Sequence, residues 1–215
     1  MSPINEHPSD PLMLFPFAAL TEVNARCIEL LVNAARSEAR PPFSFISPLR
    51  SILRDASATI RRKTASRCYL LVDMEFADPA WWRTVLQRPD RTLRAGRWAD
   101  GFPRRTAVPL ARATLMLAWQ GVRTDTDVAC AVFGMHPRVA EVVNVMQLSD
   151  IDRIADRHFR RIKPRWADRP SVWRELLLSA RAETPTASRD VNLHALRLLA
   201  DDACSTRRCH APQAD

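Results

Sequence analysis

The apolar positions of this chain fall mostly at helical spacing. From Ala18 to Arg36, Leu20, Val23, Cys27, Leu30, Leu31 and Ala34 trace one stripe, and Pro41-Pro42 ends the element. A second helix is expected from Pro48, with Leu49, Ile52, Leu53, Ala56 and Ile60 along one side. Arg50, Arg54, Arg61, Arg62 and Lys63 lie largely off that stripe. Cys68-Tyr69-Leu70-Leu71-Val72 is short and apolar, and its pattern fits a buried strand as well as a helical turn. Asp78-Pro79 reads as an N-cap followed by proline at the first helical position, opening a short helix through Trp81, Trp82 and Val85.

Residues 88–107 hold Pro89, Gly96, Gly101 and Pro103 and read as a linker or long loop. Val108 to Val122 is apolar almost all round, which predicts a helix buried in the protein or in a subunit interface. A helix from about Thr126 to Phe133 is stopped by Gly134, and His136-Pro137 opens the next, with Val139, Val142, Val143 and Met146 inward. Ser149-Asp150-Ile151-Asp152 has capping-box spacing ahead of a helix to about Phe159. Asp168 and Asp190 are expected to cap the last two helices. No repeat of fixed period is visible.

Composition narrows the class. Only four glycines occur in 215 residues, too few and too scattered for a glycine-rich phosphate loop. Tyr69 is the only tyrosine, against the usage of a many-stranded sandwich or barrel. The expected fold is all-α: a multi-helix orthogonal bundle with an N-terminal helical accessory lobe. Its expected parts are an irregular segment (1–16), an N-terminal helical lobe (17–107), a second helical module (108–203) and a flexible tail (204–215). Met1 to Asp10 lacks the basic n-region of a signal peptide, and no apolar run approaches the ~18 residues of a membrane span, so a cytoplasmic protein without a membrane partner is expected.

The formal net charge is +8, and only Lys63 and Lys163 are lysines. Codon bias toward arginine and a surface for phosphates or carboxylates both account for this. The densest basic stretch is Arg157-His158-Phe159-Arg160-Arg161-Ile162-Lys163-Pro164-Arg165-Trp166, with Arg169 and Arg174 beyond it. Arginines at a helix end and in the loop that follows suit phosphate contact. A solvated face with local aspartate pairing has the same pattern.

Other chemistry is thin. Cys204, Cys209 and His210 lack the tight knuckle spacing of zinc sites, and no metal or cofactor is expected. His7, His136, His158, His194 and His210 sit in no nucleophile elbow, so no catalytic residues are assigned and no enzyme is expected. Trp81 and Trp82, ~100° apart on a helix, cannot both face one way. Either one is exposed and anchors a protein partner, or both are covered.

The stretch from Leu115 to about Val172 resembles the FlhD subunit of the flagellar master transcriptional activator. The resemblance rests on Leu115-Met116-Leu117-Ala118, Asp125, Ala129, Phe133-Gly134, Val139-Ala140, Leu148, the apolar spacing of Ile151, Ile154 and Ala155, and the basic-aromatic pair Arg165-Trp166. The family members are about half this length, so residues 1–107 have no counterpart, and His136-Pro137 replaces a more polar or acidic pair. The resemblance implies an all-helical homodimer that joins a second regulatory subunit and binds promoter DNA. Carried onto this chain, it places DNA contacts at Arg165, Arg169 and Arg174, with Arg160, Arg161 and Lys163 just before them; Arg157, in the same basic stretch, is a further expected DNA contact. The expected function is thus a non-catalytic, DNA-binding transcriptional regulator. The alternative is a helical adaptor, such as a secretion or motility accessory factor, that never touches nucleic acid.

Overall fold

The computed structural model of the chain describes residues 15–87, 101–182 and 185–208. Among these it is helical almost throughout, and the expected all-α fold is what is found. The helices are α1 (Phe17–Arg36), α2 (Ile46–Arg54), α3 (Ala58–Ala65), α4 (Pro79–Gln87), α5 (Arg104–Thr124), α6 (Thr126–Phe133), α7 (Pro137–Asn144), α8 (Leu148–Arg157), α9 (Pro170–Arg181) and α10 (Pro185–Arg208). A 3-10 turn (Phe159–Arg161) follows α8. None of the described helices is long and apolar enough to cross a membrane.

Local signals set most of the boundaries. The Asp78 carboxylate accepts from the N–H groups of Ala80 and Trp81 at 3.0 Å each, so the cap expected ahead of Pro79 is formed. Asp125 caps α6 by accepting from Val128 N–H at 2.9 Å, and Gly134 ends that helix in the left-handed region at φ 55°. His136 Nδ1 accepts from Arg138 N–H at the start of α7. Four expectations are corrected. The helix expected from Pro48 is two, broken at Asp55-Ala56-Ser57, because the Ser57 hydroxyl accepts from Ile60 N–H and starts α3 afresh. The box expected at Ser149 lies two residues earlier, where Asp150 reaches back to Gln147 N–H. Asp168 caps nothing, since α9 opens at Pro170 behind Arg169. Asp190 lies inside α10.

Cys68–Val72 is neither a full strand nor a helix. It is an irregular, bent segment that ends in a two-residue strand, β1 (Val72–Asp73), which pairs antiparallel with β2 (Lys163–Pro164). Buried Asn24 of α1 holds this segment. Its side-chain amide donates to Ala65 O and Tyr69 O, and its carbonyl accepts from Leu71 N–H at 2.8 Å. An apolar helix residue could not satisfy these buried backbone groups.

The expected lobes 17–107 and 108–203 share one core. Their 107/108 boundary falls inside α5, and one hydrophobic cluster runs from Phe15 to Leu199 across it. α1 packs on α5, and α9, from the far end of the chain, packs on α2 and α3. The expected linker 88–107 overlaps the first turn of α5. Its residues 88–100, the N-terminal residues 1–14 and the tail residues 209–215 lie outside the described residues.

Candidate functional site

The β1–β2 ladder sets Asp73 opposite Lys163 and Val72 opposite Pro164. This register gathers the centre of the basic segment onto two acids. Lys163 Nζ lies 3.4 Å from Asp73 and 3.3 Å from Glu75, and Arg161 reaches Glu75 at 3.4 Å. Arg165 is buried. It donates from Nε to Leu70 O at 3.1 Å and from Nη2 to Val72 O and Phe133 O at 3.3 and 2.5 Å, and it lies 3.8 Å from the Asp73 carboxylate. Arg169 stands between Asp168 and Asp202, at 3.7 and 3.2 Å.

Electrostatics follow from this packing. Burial alone would raise the Asp73 carboxyl, but Arg165, Lys163 and the Phe76 N–H outweigh it and hold the pKa below its ordinary value. Lys163 is raised: burial works against its charge, and Asp73 and Glu75 overcome it. Arg165 is lowered by burial, with Asp73 and Asp202 opposing. Beside these groups lies a cleft of about 310 Å³ lined by Asp73, Glu75, Lys163, Arg165, Trp166 and Arg169, among others. Its charged walls are satisfied by one another.

The seven basic residues singled out in the sequence therefore divide. Arg165 is a core residue. Arg161, Lys163 and Arg169 are half-buried and ion-paired. Arg157, Arg160 and Arg174 are exposed. Arg165 as a phosphate ligand is corrected: its guanidinium is buried and donates to the carbonyls of Leu70, Val72 and Phe133.

Arg157 and Arg160 have neighbours that the sequence hid. α5 and α8 run antiparallel, tied by Arg104–Asp156 and Arg112–Asp152 ion pairs. That packing brings Arg104 and Arg105, at the start of α5, to the turn after α8. The Arg104 and Arg160 guanidinium carbons both lie over the Phe159 ring, 5.7 and 5.8 Å from its centroid. Arg104, Arg105, Arg157 and Arg160 are all exposed. The Arg104-Arg105 pair after Pro103 was the available signal, but the prolines and glycines around it read as a loop.

Both tryptophans of the expected partner anchor are covered, at 6% exposure for Trp81 and 0% for Trp82, so that assignment is corrected. Trp82 stacks on Phe76 and donates to Glu75 O at 3.0 Å. Trp81 packs edge-on against Trp82 and His158, with Arg161 over its ring. Two sides of α4 are covered, one for each ring. The large apolar side chains that do face outward include Val145 (73%) and Leu148 (53%), at the corner between α7 and α8. Burial pushes the Cys27 thiol up to about 12 and, with Asp127, the half-buried Cys130 thiol up to about 11, so both stay protonated at neutral pH. The side chains of Cys204, Cys209 and His210 lie outside the described residues.

Set beside known proteins, the chain matches no family model, no curated protein and no solved structure.

Proposed function

We propose that this chain is a non-catalytic transcriptional regulator of the FlhD-like kind, acting in the cytoplasm, that holds DNA phosphates through Arg104, Arg105, Arg157 and Arg160 and works with a partner protein. The observation that carries the reading is the exposed arginine cluster around Phe159. Guanidinium groups on a packed helical scaffold suit phosphate contact, and the N-terminus of α5 adds the positive end of its dipole. Asp152 is paired with Arg112, and Asp156 offsets only Arg104, so the patch of four arginines stays net positive.

The test is fluorescence anisotropy on a random duplex between 50 and 200 mM salt. Four phosphate contacts would cost on the order of 10² in affinity across that range. Arg105→Glu/Arg157→Glu/Arg160→Glu should weaken binding and flatten the slope while leaving the melting curve in place. Unchanged affinity in that variant would remove the patch from the proposal.

A second reading, an adaptor without DNA contact, is favoured by exposed Val145 and Leu148. It predicts no duplex binding at 50 mM salt. It also predicts loss of the complex with a purified partner subunit in Val145→Asp/Leu148→Asp.

A further inference from the structure

The elements on either side of residue 100 correspond at one fixed spacing, 91 positions. Pro79 opens α4 and Pro170 opens α9; Trp82 and Trp173, both fully buried, follow three residues on. Arg83 matches Arg174 and Leu86 matches Leu177, so P-x-x-W-R-x-x-L occurs twice. The same spacing takes Ile46, which opens α2, to Pro137, which opens α7. It takes buried Leu20, Val23, Asn24, Cys27 and Leu31 of α1 onto buried Ala111, Thr114, Leu115, Ala118 and Val122 of α5. Among the described residues, the two non-glycine residues with positive φ, Glu75 (56°) and Trp166 (54°), are 91 apart as well. A strained conformation repeated at equivalent turns belongs to the architecture of the unit.

The contacts are reciprocal. Within each half, the long helix packs on the same corresponding pair, α1 on α2 and α3 and α5 on α7 and α8; α6, which also packs on α5, has no counterpart helix in the first half. Between halves, α9 covers α2 and also α3, and its counterpart α4 covers α7, the counterpart of α2; α1 touches its own counterpart α5. The ladder obeys the same rule. Val72 pairs with Pro164, the counterpart of Asp73, and Asp73 pairs with Lys163, the counterpart of Val72. That is the signature of an isologous interface.

We infer that residues 17–87 and 108–178 are two copies of one helical unit, joined covalently as a pseudo-dimer in which each unit's last helix completes the core of the other. The faces that a single unit would present to a second copy are filled within one chain, so the particle is monomeric. The copies have diverged in charge: the counterparts of Arg157 and Arg160 are Ser66 and Tyr69. The inference stands on the geometry alone and does not need the DNA-binding reading.

The full chain tests it, with a protease site inserted between Gln87 and Gly101. After cleavage the pieces should co-elute at the uncut, one-chain mass by light scattering and separate only in denaturant. Two folded pieces parting in native buffer would overturn the inference, as would an uncut particle of twice the chain mass. Hydrogen exchange on the uncut chain decides if the nicked protein precipitates. Trp173→Leu should speed exchange in α2 and α3, and Trp82→Leu in α7. Acceleration confined to the half that carries each substitution would show two independent lobes instead.

Discussion

Asp73 and Lys163 face each other across the two-strand ladder, with carboxylate and ammonium 3.4 Å apart. Ninety residues of chain separate them, and neither segment alone announces the other. The pairing turns the middle of a basic run from a surface feature into a tie between the two halves of the molecule. Glu75 joins it from the next turn, and Arg165 closes it from below with three bonds to carbonyl oxygens.

Arg165→Met should be among the most damaging substitutions in the chain. It would leave the Leu70, Val72 and Phe133 carbonyls without this donor and remove a positive neighbour from Asp73. Breaking a buried charged network from one side costs about 3–5 kcal/mol. Arg160→Met, on the exposed patch, should stay within about 0.5 kcal/mol. Urea unfolding of both variants gives the comparison; similar midpoints would contradict the buried role.

Asn24→Leu should destabilise although Leu fits the apolar stripe of α1. Three backbone groups at Ala65, Tyr69 and Leu71 lose their partner. Each buried group left unpaired costs about 1–3 kcal/mol. Amide exchange at Leu71 should quicken more than exchange in the middle of α1. A stabilised Asn24→Leu protein would mean the Tyr69–Leu71 segment finds other partners.

Stability should fall as pH drops below about 6.5, before the carboxylates titrate. The His158 imidazole is held below its ordinary pKa by burial, then by Arg161, Arg153 and Arg157. The native state binds this proton less readily than the unfolded chain. Its contribution is therefore complete above the unfolded value and is lost as pH falls toward the folded one. Asp73, also depressed, adds a second loss at lower pH, below the ordinary carboxylate value near 3.9. Thermal melts from pH 7.5 to 5 should show the first slope, and His158→Gln should flatten it. An equal slope in that variant would assign the effect elsewhere.

The sequence by itself determined the helices, because their signals are local. Apolar spacing located α1 and α5, and Asp78-Pro79 and His136-Pro137 were readable as helix starts for the reason that a cap bonds within three residues of itself. Gly134 was readable as a stop because its backbone turns left-handed there. The fate of the charges was decided by tertiary structure. Arg160 and Arg165 look alike in the chain, yet one is solvated and the other is fully enclosed, because only Arg165 is brought to carbonyls from β1 and α6. Trp81 and Trp82 are adjacent on α4, and both are buried because their rings pack edge-on against each other, with Phe76 on Trp82 and His158 on Trp81. The 91-residue correspondence left one trace in the sequence, the repeated P-x-x-W-R-x-x-L, and was hidden elsewhere for a related reason. Burial constrains where an apolar residue stands far more than which one it is, so Leu20 and Ala111 keep one place in the fold while sharing no identity.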